Sequence, residues 1–211
     1  MQTVVLSSAY WPNLQYFYYI LNAQHVFIEK HEHYQKQSFR NRTQILSANG
    51  VLNLTIPIKN YSEKKSINEV EIFYKEKWQK NHWRAIESAY KNSPYFEFFE
   101  EEIKMFYSKE YQFLFEYNNS QLECLLKILR VKKQILFSDN FEKEFTDKLD
   151  LRNSIHPKLD FNLDKQSIEK ISLKYYQTFE DKFKFTPNLS ILDLIFNKGL
   201  EAVDYLSEKN L

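Results

Sequence analysis

A chain of 211 residues with 29 Lys and Arg against 28 Asp and Glu carries no global field that would draw it onto nucleic acid or an anionic membrane, so any anion site must be local. At 43% hydrophobic and 17% aromatic it can bury a sizeable core, which predicts a single domain over residues 1–211 rather than disorder. Two glycines, Gly50 and Gly199, exclude Walker-type phosphate loops and dinucleotide fingerprints, and the single Cys124 excludes disulfides and cysteine zinc sites within one chain.

The opening "MQTVVLSSAYWP" has no basic region before its apolar residues, and the run is too short for a signal peptide or a membrane span. A cytoplasmic protein without membrane insertion is therefore expected. "TVVLSS" reads as a buried strand ended by Pro12, which cannot donate to a ladder. "LQYFYYILNA" predicts a helix and "HVFIEKHEHY" a strand; "VLNLTIPIKN" alternates as a strand, and "SINEVEIFY" repeats that pattern more weakly.

After residue 75 the period changes. Trp78, His82, Ile86 and Tyr90 fall at four-residue steps on one helix face. Ser93-Pro94 reads as a cap and first turn for a second helix through Tyr107. "NNSQLECLLKILRV" predicts a capped helix with Leu122, Leu125, Leu126 and Leu129 on its apolar face, where Cys124 sits among leucines as a poor nucleophile; "KQILFSDN" predicts the next strand. "NLSILDLIFNKG" places Ser190 at a helix start, Asp193 three residues on and Gly199 past the stop. The sum is an α/β fold: a mixed or mostly parallel sheet with packed helices, its strands near 3–8, 25–31, 51–57 and 132–137.

Four features bear on chemistry. "HYQKQSFRNRTQI" is rich in cations, and an extended 34–42 would point Tyr34, Lys36, Ser38, Arg40 and Arg42 the same way. Such a row suits phosphate or carboxylate; equally, it suits a charged edge strand protected against pairing. Glu29, His31 and His33 would share one strand face, but three ligands from one strand crowd a tetrahedral centre, so no catalytic metal is expected. His82 is either a core histidine satisfied by one hydrogen bond or a group poised for proton transfer. The aromatics of "YWPNLQYFYY" could line a pocket for a ring or sugar, though such residues more often build core.

"LSSAYWPNLQYFYYILNAQHVFIEKHEHYQKQSFRNRTQI", then "LTIPI", Trp78 with His82, "AYKNSPYFEFF" and "PNLSILDLIFNKG" together resemble the WbqC-like family over nearly the whole chain. Tyr10, Pro12, Glu29, Asn41, Arg42, Pro57, Trp78, His82, Pro187, Ser190 and Asp193 match its pattern. Ser7 and Ser8 stand where that pattern has a His-Gln step. The opening strand, aromatic turn, helix and strand also resemble the nucleotidyltransferase side of α/β folds. The resemblance implies a transferase of aminoacyl or glycyl type in bacterial surface polysaccharide (O-antigen) biosynthesis, acting on an anionic small molecule or activated sugar. His82 would be the base, Arg42 with Asn41 would orient the donor's phosphate or carboxylate, and Tyr10, Glu29, Tyr34, Lys36, Ser38, Arg40 and Ser190 would line the site. The alternative is a non-catalytic module binding a nucleotide-sugar or another anionic ligand through the same arginines. The resemblance implies no particular cofactor.

Overall fold

The computed structural model describes residues 3–60, 62, 64–159 and 165–207. In chain order it holds β1 (Val4–Ser7), α1 (Leu14–Asn22), β2 (Val26–Glu29), β3 (Arg42–Ser47), β4 (Gly50–Thr55), α2 (Trp78–Tyr90), α3 (Phe96–Lys104), α4 (Leu114–Ile128), β5 (Ile135–Phe137), β6 (Leu149–Asp150), α5 (Lys165–Ile171), α6 (Glu180–Phe183), α7 (Ile191–Lys198) and α8 (Ala202–Leu206).

The fold is mixed α/β. Four strands pair in parallel in the order β5-β2-β1-β6, and β3 and β4 form a separate antiparallel hairpin. Val4, Val5 and Leu6 are all buried, as a strand covered on both faces requires. One core cluster runs from Val4 to Leu206 and takes in α1, the leucine face of α4 and nearly all of α7. Asn13 caps α1 by accepting from the Tyr16 N–H, and Ser190 caps α7 by accepting from Leu192.

Several expectations are corrected. The 51–57 strand is β4 of the hairpin and not part of the main sheet. Residues 66–74 make a 3-10 turn at Ile67–Glu69 and isolated bridges instead of a strand. Ser93 does not cap α3: its hydroxyl turns back to the Tyr90 carbonyl at 2.5 Å, and α3 starts after Tyr95. Helix α4 starts at Leu114, one turn before the expected cap, so Asn118 lies inside it.

The segment 34–42 is not extended. It is a run of turns, with Gln37 at φ 56°, in which the Ser38 hydroxyl donates to the Gln35 carbonyl at 2.7 Å. The one-faced row of Tyr34, Lys36, Ser38, Arg40 and Arg42 therefore does not form: Tyr34, Ser38 and Arg40 turn into the core while Lys36 stays exposed. Strand β2 likewise stops at Glu29, because its carboxylate accepts the His31 N–H at 2.7 Å and bends the chain. His31 and His33 thus leave the strand, and His33 stacks on Phe141.

Candidate functional site

The carboxyl end of β1 opens into a tight corner before α1. Trp11 sits there at φ 36°, a left-handed conformation that a bulky residue adopts only when its surroundings impose it. They do so at every polar atom. The Trp11 carbonyl accepts from Thr43 Oγ1 at 2.8 Å and from Ser190 Oγ at 3.0 Å, its N–H donates to Gln121 Oε1 at 3.4 Å, and its indole N–H donates to the Tyr107 hydroxyl at 2.8 Å. Strand β3, helix α4 and the start of α7 all contribute to this grip.

On one side of the corner lies His82. The Tyr10 hydroxyl is 2.9 Å from its Nδ1 and 2.8 Å from the Tyr107 hydroxyl, and the ring's other polar contact is the Thr55 backbone carbonyl. Donor chemistry fixes every proton in this chain. An indole N–H can only donate and a carbonyl can only accept, so Trp11 donates to Tyr107, Tyr107 to Tyr10, Tyr10 to Nδ1, and Nε2–H to Thr55. Burial pushes His82 down to about 4, with the Thr55 carbonyl opposing, so the ring is neutral near pH 7. Tyr10 is fully buried and Tyr107 half-buried, and burial raises the hydroxyls of both well above their ordinary range.

On the other side, the ends of the parallel strands gather charge. Arg40 is 2% exposed and forks onto Glu32, with Nε 2.9 Å from Oε1 and Nη2 2.5 Å from Oε2. Arg152, just past β6, grips Asp150 at 2.9 and 2.6 Å and lies 3.8 Å from Glu29 Oε2. Burial works to raise both acids; at Asp150 the bonds from Arg152 outweigh it and hold the carboxyl below its ordinary range, whereas at Glu32 burial prevails over Arg40 and the net direction is up. Glu29, at the end of β2, accepts from Ser138 and from His31 on Oε1, while Oε2 takes no hydrogen bond among the described residues. Ser7, at the end of β1, donates to the Arg152 carbonyl at 2.9 Å.

The chain's own groups therefore fill much of the expected site. Arg40 is spent on Glu32, Ser38 on Gln35, Ser190 on Trp11 and α7, and the Asn41 amide on the Ile56 carbonyl at 2.8 Å. Tyr34 is buried beside the bridge at His33–Ser66. Arg42 is half-buried opposite Thr55, and its Nε is buried without a hydrogen-bond partner among the described residues. The Arg42 charge acts on His156, alongside that of Arg40, whereas His82 is shifted by burial and the Thr55 carbonyl. His82 and Tyr10 meet, as do Glu29 and the strand ends.

Sequence reading missed Arg152, Asp150, Ser138, Tyr107 and Asn118. Asn118 donates to Ser8 Oγ at 2.9 Å and to the Arg40 carbonyl at 2.7 Å, tying α4 to both halves of the site. Its one sequence signal is a polar residue on the buried face of a helix. Among the described residues no group of His, Cys, Asp and Glu is arranged to hold a metal ion. Burial raises Cys124 to about 11, which makes its thiol inert near neutrality. Among the described residues no helix is long and apolar enough to cross a membrane.

The sequence pattern of the WbqC-like protein family matches residues 7–205. The chain is also 26% identical over 225 residues to Uncharacterized protein Rv1507c of Mycobacterium tuberculosis, covering 97% of each chain. No solved structure matches.

Proposed function

We propose, from the premise that the chain belongs to the WbqC-like protein family, that it is a group-transfer enzyme of aminoacyl or glycyl type serving bacterial surface polysaccharide assembly. The observation that carries this reading is the cluster of charged side chains at the carboxyl ends of the parallel strands, with the ordered hydroxyl chain to His82 on the other side of the Trp11 corner. Open parallel sheets take their ligands at those strand ends, at the point where the strand order reverses. In this chain that point lies between β1 and β6, beside Ser7, Asp150 and Arg152.

In the transfer, the acceptor's amine nitrogen bonds to the donor's acyl carbon, the bond to the leaving group breaks, and the amine's surplus proton must be taken up. Tyr107 receives that proton at the outer end of the chain of hydroxyls, and its own proton moves through Tyr10 to His82 Nδ1. Arg42, whose buried Nε has no hydrogen-bond partner among the described residues, orients the donor's phosphate or carboxylate, while Asn41 holds the backbone beside it through the Ile56 carbonyl. Lys36 adds a long charged arm at the exposed rim.

One observation favours the second reading, a binding module without turnover. A histidine titrating near 4 costs about 4 kcal/mol to protonate at pH 7, which makes it a weak base. Untargeted identification of compounds retained on protein purified from cells tests the substrate class; a retained nucleotide, sugar or aminoacyl compound is expected. With that ligand, Arg42→Ala should weaken binding about tenfold, or about 1.4 kcal/mol, without lowering Tm. His82→Gln should abolish turnover and leave binding intact; intact turnover would assign His82 to the core alone.

A further inference from the structure

Residues 138–148 join β5 to β6 with no helix or strand of their own. Because β5 and β6 are parallel and lie on opposite edges of the sheet, this segment starts at the carboxyl end of β2 and crosses to the amino end of β1. Its two flanks are pinned by backbone bonds, Ser138 N–H to Ile28 and Leu149 N–H to Thr3. Between them, among the described residues, 139–148 makes no backbone-to-backbone hydrogen bond.

Arg152 holds the middle down by hydrogen bonds. Arg152 Nη1 donates to the Glu142 carbonyl at 2.8 Å and Nη2 to the Lys143 carbonyl at 3.0 Å. The same guanidinium packs on the Phe145 ring at 4.8 Å and the Phe141 ring at 5.8 Å, and His33 stacks on Phe141. Glu29 Oε2, the buried acceptor left without a hydrogen bond, lies 3.8 Å from that guanidinium.

We propose that 138–148 is a lid over the strand-end site, latched by Arg152, and that opening hands the two guanidinium donors to a neutral carbonyl or hydroxyl oxygen of the ligand. Neutrality follows from the charges already present. Asp150 is paired bidentately with Arg152 and Glu29 stands beside it, so a further anion would meet two carboxylates, whereas an uncharged oxygen repeats what the strap carbonyls do now. The lid rests on the reading of the strand ends as the ligand seat, and it gives that seat an entrance and a closed state. Local opening is the expected behaviour of a segment with few backbone bonds and mostly exposed residues.

Limited trypsin digestion of the full chain reads the lid directly, with cleavage after Lys143 and Lys148 followed by mass spectrometry. Phe145→Ala and Arg152→Gln should each be cut within the strap about tenfold faster than the wild type, at temperatures where circular dichroism shows the protein folded. Wild-type rates in both variants, or cuts spread along the chain in step with global unfolding, would overturn the lid. Should Arg152→Gln fail to fold, Phe145→Ala decides alone, since it removes a ring and no charge. Millimolar inorganic phosphate should leave the wild-type rate unchanged, and an acceleration that vanishes in Arg152→Gln would overturn the neutral-ligand assignment. None of these results depends on which compound the purified protein retains, so the transfer reading stands or falls separately.

Discussion

Two buried titrating residues oppose each other across the same pH window. Asp193 Oδ2 accepts from the Tyr175 hydroxyl at 2.5 Å and Gln177 Nε2 at 2.9 Å, yet complete burial raises its carboxyl to about 6. Asp193 thus holds its proton more tightly in the folded chain, and the stability it contributes is present below about 4 and lost as pH rises to about 6. His82, lowered to about 4, works the other way: its contribution is present above 6.5 and lost as pH falls toward 4. Each is on the order of 3 kcal/mol, so in the wild type they largely cancel between pH 4 and 6.5. Asp193→Asn keeps the shape and removes one of the two, and its Tm should fall steeply from pH 6.5 to 4 where that of the wild type stays nearly level; parallel profiles would refute the opposition. Arg40 belongs to the same scale. Because it is buried against Glu32, Arg40→Ala should cost about 3–5 kcal/mol in chemical denaturation by stranding a carboxylate, a stability loss that Arg42→Ala does not share.

Among the elements, α4 ends on a residue that resists its own conformation. Arg130 follows the last turn at φ 55°, with its N–H on the Lys127 carbonyl at 3.1 Å and the Val131 N–H reaching back to Leu126 at 2.8 Å. This is the closing turn in which glycine is preferred, and a side chain there costs about 1 kcal/mol. Arg130→Gly should therefore raise Tm by about 2–4 °C in a thermal melt, against the usual penalty of added glycine. A lowered Tm would mean that the arginine side chain contributes more than its backbone costs. Elements with a long period or a buried apolar run were legible in the sequence: the stripe of α2, the leucines of α4, the Ser190 cap of α7 and the strand β1 all stand where their patterns put them. The failures share a cause. At Ser38, Glu29 and Ser93 a side-chain oxygen bonds a nearby backbone group and turns the chain, which overrides an alternating or capping pattern that looks the same on paper.

At the scale of the whole molecule, what the sequence hid is distance along the chain. Glu29 and His82 were legible from strand and helix spacing, and Tyr10 from the family's pattern, but their partners Ser138, Arg152 and Tyr107 come from separate elements, and no periodicity links residue 29 to residues 138 and 152. The parallel order β5-β2-β1-β6 makes that unavoidable, since β1 at residue 4 pairs both with β2 at residue 26 and with β6 at residue 149. Contacts of such separation also bind the ends of the chain into one core, with α1 packed against α5, α7 and α8. A unit in which the first strand lacks its second neighbour until residue 149 arrives has no half that buries all of its own apolar surface. Unfolding in urea should then be a single transition. Trp11, Trp78 and Trp83 report on the first half through fluorescence, and amide protection of α7 reports on the second; the two should lose signal at one midpoint. Separate midpoints, with α7 released while the tryptophans stay buried, would show that the chain-spanning strand pairs are weaker than the aromatic packing around Tyr10 and Tyr107.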